Sequence, residues 1–241
     1  MRDRVDGGGR DGEEKENVLG IDDSGRGPVI GPMVMAGVKV PAFMQEKFRE
    51  LGVKDSKKLT ASQREKLGEM IRKNSEFSII RIWPYEIDFG NEAGINLNKL
   101  EAIKSAQIIN DLKPDKAIID CPSPNIPRWQ AEVEKRLQLQ KPCKVVCEHK
   151  ADVNHPVVSA ASIIAKVARD EEIAKIQKRI PEEIGSGYTS DPITVKFLEG
   201  NWEKYRDIFR QSWSTWQNHK NKKDQKEIFE YEGKDKEEQQ F

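Results

Sequence analysis

The chain has 241 residues, 36% of them hydrophobic and 34% charged, and its 41 Lys and Arg are matched by 41 Asp and Glu. That length suits one domain with a substantial core, and no run nears the roughly 18 apolar residues of a membrane span or the apolar stretch of a secretory signal, so no membrane association is expected. Net charge neither demands nor forbids a nucleic-acid partner, since a local basic strip suffices for one. Three cysteines, Cys121, Cys143 and Cys147, form no CxxC pair and argue against a disulfide framework or a zinc site. A reducing compartment is expected: the cytoplasm, or the nucleus if the source has one.

Residues 1–17 and 217–241 are dominated by charged and small residues and are read as disordered polar tails flanking a domain over 18–216. Within the domain, residues 17–22 form a short apolar strand ending in two acids; the turn Gly25-Arg26-Gly27-Pro28 follows, and a second strand-like run spans 33–40. Residues 59–74 carry a helical pattern through Leu67, Met70 and Ile71, with Thr60 as N-cap, and 76–83 read as a third strand stopped by Pro84. A helix over 98–112 repeats Leu100, Ile103, Ala106, Ile109 and Leu112 along one face, and 116–120 is a brief buried strand ending in an acid. A helix over 129–139, a strand over 144–147 and a long Ala-rich helix over 157–179 follow. Beyond a Gly-rich loop at 185–188, an aromatic-rich segment with Trp202, Tyr205, Phe209, Trp213 and Trp216 reads as a C-terminal helical cap. Strands in a meander, then alternating with helices, predict an α/β sandwich around a mixed sheet.

Asp22 and Asp23 close the first strand, Asp120 closes a later one, and Asp152 lies in the turn before the long helix. Taken singly, an acid after a strand is more often a turn former or helix cap. Together, four hard oxygen donors from separate strand ends and loops are what two divalent ions acting on a phosphodiester require. Neighbouring side chains on a strand point to opposite faces, so a backbone bend at Asp22–Asp23 is expected if both are to reach one site.

The strings around these acids are specific. GIDDSGRGPVIGPMV at 20–34, DSKKL at 55–59, IIDCPS at 118–123, HKAD at 149–152, PVVSAASIIAKVARD at 156–170 and GSGYTSDP at 185–192 resemble, in order, the motifs of type 2 ribonucleases H. The similarity runs from about Leu19 to Trp213. It implies a ribonuclease-H-like five-stranded mixed sheet flanked by helices, and Asp22, Asp23, Asp120 and Asp152 as ligands of two Mg²⁺ or Mn²⁺ ions. It also implies an endonuclease that cuts the RNA strand of RNA–DNA hybrids and single ribonucleotides in duplex DNA, an activity suited to replication and ribonucleotide excision repair; a monomer is expected. Gly25, Arg26, Gly27 and Tyr188 would then grip the ribose at the RNA–DNA junction. The 2′-hydroxyl is the group that tells RNA from DNA, and glycines allow a backbone to approach it closely.

Lys57, Lys58, Asn98, Ser159, Ser162 and Lys166 are candidate contacts to the nucleic-acid strands, with Asn96 serving either there or as a helix cap. His149 is read as structural. Archaeal members of the family often end in a sliding-clamp-binding peptide; Gln225, Ile228 and Tyr231 match part of its spacing without the closing aromatic pair, and a disordered tail is the better reading.

A phosphate-loop nucleotidase is a rival because Gly25–Gly31 is Gly-rich after a strand, but the Lys-Ser/Thr pair such a loop needs is missing. Type 3 enzymes carry an added N-terminal domain and lack the Gly-Arg-Gly turn. A hybrid-binding protein with weakened catalysis is the remaining alternative, because Asp23 stands where the family usually has Glu. The shorter carboxylate predicts a shift toward Mn²⁺, whose geometry is less demanding than that of Mg²⁺. Turnover of the protein and of Asp23→Glu in each metal checks this: the Mn²⁺/Mg²⁺ ratio should fall in the variant, and equal ratios refute the expectation.

Overall fold

The computed structural model describes residues 16–53 and 59–222. Lys57, Lys58, Gln225, Ile228 and Tyr231, and most of both expected tails, lie outside these residues.

β1 (Asn17–Ser24) and β2 (Met33–Pro41) form the expected hairpin, paired antiparallel from Asn17 opposite Pro41 to Ser24 opposite Val34. β3 (Glu76–Ile82) continues the antiparallel meander on β2, while β4 (Lys116–Asp120) and β5 (Lys144–Glu148) add in parallel on the other side of β1. The order is β3-β2-β1-β4-β5, with β1 central. Its sequence is accordingly apolar on both faces: Val18 packs with Val157, Val158 and Ala161, whereas Leu19 and Ile21 pack with Ala102, Ala106 and Ile109 on the other side.

The first of these layers comprises α1 (Met44–Glu50), α2 (Ala61–Lys73) and α7 (Pro156–Arg179). Thr60 caps α2 in a reciprocal capping box with Gln63, as its spacing predicts. The second layer comprises α4 (Leu97–Leu112), capped by Asn96, and α5 (Ile126–Glu134). Asn96 is therefore a cap, its side chain accepting from Lys99 N at 3.0 Å. α5 starts earlier than expected because Asn125 caps it and a proline sits in its first turn, a start signal overlooked in favour of the apolar pattern. Pro84 likewise ends β3 but also opens α3 (Pro84–Glu92), which the sequence reading missed. Short α1 and the single-turn α6 (Ala151–Asn154) were also missed.

The C-terminal cap holds a third cluster, in which α8 (Pro192–Asn201) contributes Phe197 and Leu198, joined by Trp202, Ile208, Phe209 and Trp216 and by Val29 and Ile30 after β1. Residues 214–222 are helical, so the tail expected from 217 begins within ordered structure. Trp216 anchors it edge-on to Trp202 at 5.4 Å between ring centroids, and His219 meets the same ring at 5.7 Å. No helix among the described residues is long and apolar enough to cross a membrane.

One contact sets the register of these layers. A Cβ at Gly20 would lie 2.4 Å from the carbonyl carbon and oxygen of Val157, so α7 rests on β1 at backbone contact, two residues from Asp22. Gly20→Ala should therefore destabilise the fold by about 3 kcal/mol, read as a lower urea midpoint at unchanged slope; a wild-type midpoint would show that α7 lifts off freely.

Candidate active site

Asp22 and Asp23 both lie within β1 in regular pairing, opposite Ala36 and Met35 of β2. The expected bend is not there. By strand alternation Asp22 follows Val18 and Gly20 toward α7, whereas Asp23 follows Leu19 and Ile21 toward α4. The two meet around an open edge instead: β4 pairs with β1 only as far as Ile21 opposite Ile119. Past that pair β1 and β4 no longer pair, and Asp22, Asp23, Asp120 and Glu101 line one cavity there, at the carboxyl ends of parallel strands where α/β sheets present their ligand sites.

These acids repel one another. Burial first, then the neighbouring Asp23 charge, raises Asp22 to about 8, and burial followed by Glu101 raises Asp23 to about 7. Glu101 is raised too, chiefly by burial, against the opposing pull of Arg26. The donors suit a hard divalent cation, which would let all of them stay ionised. Among the described residues no three acid, His or Cys side chains already stand at the spacing of a metal site. Asp152 is buried on α6, beside Ala151, whose amide donates to Asp120 Oδ1 at 3.1 Å; it lies outside the wall of the cavity itself. The HKAD turn that places it has Lys150 at φ 59°, and His149 ties it to β4 with Nδ1 2.9 Å from the Cys121 carbonyl oxygen, in keeping with a structural role.

Other candidates are redistributed. Ser159 and Ser162 are each 1% exposed, so neither offers a hydroxyl to a phosphate at the surface. Both sit on the inner face of α7, which helical spacing alone cannot distinguish from the face that meets solvent. Ser162 instead hydrogen-bonds Asp22 and accepts from Lys166 Nζ at 2.8 Å. Lys166 thus stands among the acids, its charge opposing the rise at Asp23. Asn98 Oδ1 accepts from Arg26 Nη2 at 2.6 Å, and its backbone carbonyl accepts from Trp129 Nε1 at 2.8 Å. Arg26 Nη1 donates to Glu101 Oε2, joining the Gly-Arg-Gly turn to the acid cavity.

That turn is built from the far end of the chain. Arg210, with no exposed surface, donates to the carbonyls of Gly25 at 2.6 Å, Arg26 at 2.9 Å and Gly31 at 3.1 Å. Burial, then the nearby Arg169 charge, lowers it to about 9, still a cation near neutrality. Gly25 has φ 82°, and a Cβ there would lie 2.2 Å from Arg169 Nε, so this position requires glycine twice over. The Arg169 guanidinium lies 5.2 Å from the Tyr188 ring centroid. Gly187 accepts from the amides of Val29 and Ile30, bringing the GSGY loop against the turn. Tyr188 is 38% exposed and near Gly27, where the sequence reading expects it.

Glu101, Arg169 and Arg210 were not singled out from the sequence. The available signal was a lone charge at a position whose neighbours on the same helical face are apolar, as for Glu101 with Leu97 and Ile108 on the core side of α4; Arg210 had no such signal. Arg210→Lys keeps a charge but cannot span three carbonyls. It should cost about 3 kcal/mol, as expected for losing one or two charge-assisted hydrogen bonds, measured by denaturant unfolding; a loss under about 0.5 kcal/mol would show that the turn stands without it.

The family model described as ribonuclease HII matches residues 19–216. Ribonuclease HII of Methanobrevibacter smithii is 45% identical over 208 residues, covering 85% of this chain and 99% of its relative. Among solved structures, ribonuclease H2 from Pyrococcus horikoshii superposes with a TM-score of 0.77 at 39% identity, covering 86% of this chain and 98% of that one. The ribonuclease HII of a PCNA:RNase HII complex from Archaeoglobus fulgidus gives 0.74 at 40% identity, covering 84% and 96%. With the mixed five-stranded sheet between helices in common, the chain belongs to the ribonuclease HII family of metal-dependent endonucleases.

Proposed function

We propose that this ribonuclease H cuts the phosphodiester on the 5′ side of a ribonucleotide, both in RNA–DNA hybrids and at single ribonucleotides in duplex DNA. Two ions, Mg²⁺ or Mn²⁺, would be held by Asp22, Asp23, Asp120 and Asp152. When bound, they would lower the pKa of the attacking water and offset charge on the departing 3′ oxygen, leaving a 3′-hydroxyl and a 5′-phosphate. The observation that carries the reading is the Arg26–Glu101 contact, which ties the turn suited to sensing ribose to a side chain in the wall of the acid cavity.

The chain's own groups divide the work. Ser162 and Lys166 hold Asp22 and partly offset the negative charge of the site before substrate arrives. The carbonyls of Gly25, Arg26 and Gly27 are turned toward Arg210 and Trp213, so the turn presents its amides to the other side, where a 2′-hydroxyl oxygen can accept from them. Tyr188, backed by Arg169, offers a ring face to the adjoining deoxyribose, where an additional hydroxyl would collide. A groove of about 340 Å³ lined by Asn96, Asn98, Ser123, Asn125 and Arg128 adjoins the site at Asn98 and can take the flanking strand.

The test is a DNA duplex with one embedded ribonucleotide, incubated with Mg²⁺ or Mn²⁺. A nick 5′ to the ribonucleotide is expected, with no cutting of the all-DNA duplex, and Asp120→Asn should lower the rate at least about a thousandfold, roughly 4 kcal/mol of transition-state stabilisation. Binding without cleavage, or an Asp120→Asn rate near that of the unaltered chain, would overturn the reading.

A further inference from the structure

The wall of the acid cavity formed by α4 carries two polar side chains that the roles above leave unexplained. Glu101 is 1% exposed and Ser105, one turn later, has no exposed surface. Arg26 takes Glu101 Oε2, but Glu101 Oε1 and the Ser105 hydroxyl are buried without hydrogen-bond partners. Both residues line the cavity with Asp22, Asp23 and Asp120. A buried carboxylate oxygen with nothing to bond is rare and costly, and here it faces further negative charge, so burial alone does not account for it.

The faces of the sheet decide which acid Glu101 serves. Asp22 and Asp120 extend on the α7 side, the latter in step with Ile118, whereas Asp23 extends toward α4. Glu101 is accordingly the foremost charged neighbour of Asp23. The pair shares one guanidinium, that of Arg26, which leaves an excess of negative charge on the α4 side of the cavity.

We infer that Glu101 is a fifth carboxylate of the metal site, coordinating through Oε1 the same ion as Asp23. The inference rests on the two-ion reading above. It gives the α4 side a second oxygen donor beside the short Asp23 side chain, and it explains why Glu101 uses one oxygen for Arg26 and leaves the other without a hydrogen-bond partner. Arg26 thereby senses occupancy of the site through a carboxylate common to both. The competing account makes Glu101 only an anchor for Arg26.

Mn²⁺ binding to the full chain without nucleic acid, read from the electron paramagnetic resonance of the free ion, separates these accounts. Glu101→Gln should weaken the tighter Mn²⁺ site at least tenfold, while Arg26→Gln should leave it unchanged or tighter. Unaltered affinity in Glu101→Gln, with Mn²⁺ still bound by the wild type, overturns the role of Glu101 alone; a wild type that binds no Mn²⁺ overturns the two-ion reading and this inference with it. Melting in metal-free buffer shows whether Glu101→Gln folds. If it does not, the anomalous scattering of Mn²⁺ in wild-type crystals decides: an ion with Glu101 Oε1 in its shell is expected, and a shell that leaves Glu101 out refutes the proposal.

Discussion

Everything at this site follows from crowding like charges at one end of a sheet. Asp22, Asp23, Asp120 and Glu101 share a cavity, and burial together with the charge of neighbouring acids disfavours ionisation of Asp22, Asp23 and Glu101. Apolar residues of similar volume would pack there at lower free energy. The arrangement persists because the surrounding layers leave the acids no retreat. α7 is pressed onto β1 at backbone contact, α4 closes the opposite face, and β4 stops pairing at the point where both faces can open to a common cavity.

The C-terminal cap has a second function besides covering apolar surface. Through Arg210 it holds the carbonyls of the Gly-Arg-Gly turn, and through Trp213 that of Gly27, while Arg169 from α7 supports both that turn and Tyr188. Two buried cations thus sit behind the turn as the acids sit in front of it. A backbone meant to read a hydroxyl group must be held to within a fraction of an ångström, and satisfied carbonyls on its inner side provide that rigidity. Glycine at Gly25 is what lets the Arg169 side chain come so close.

The elements most legible in the sequence were those with strong local signals. The β1–β2 hairpin, the capped α2, the long α7 and the short strands β4 and β5 each announce themselves by alternation, capping or a buried apolar run. α3 and the start of α5 were hidden because proline was read as a stop when it also opens a helix. The continuation of helix through 222 was hidden because Trp216 and His219 earn their place only against Trp202.

The residue types and spacing of the chain by themselves determined the α/β class, the succession of strands and helices along the chain, the family motifs and the carboxylates at strand ends, because all of these are local or periodic properties. Tertiary structure alone decided that Asp22 and Asp23 reach one cavity from opposite faces without a bend, and that Ser159 and Ser162 turn inward. It also decided that Glu101 on a distant helix joins the acids and that Arg210 supports a turn 185 residues away from it at Gly25. Those outcomes depend on which faces meet and where strand pairing ends, and long-range packing sets both.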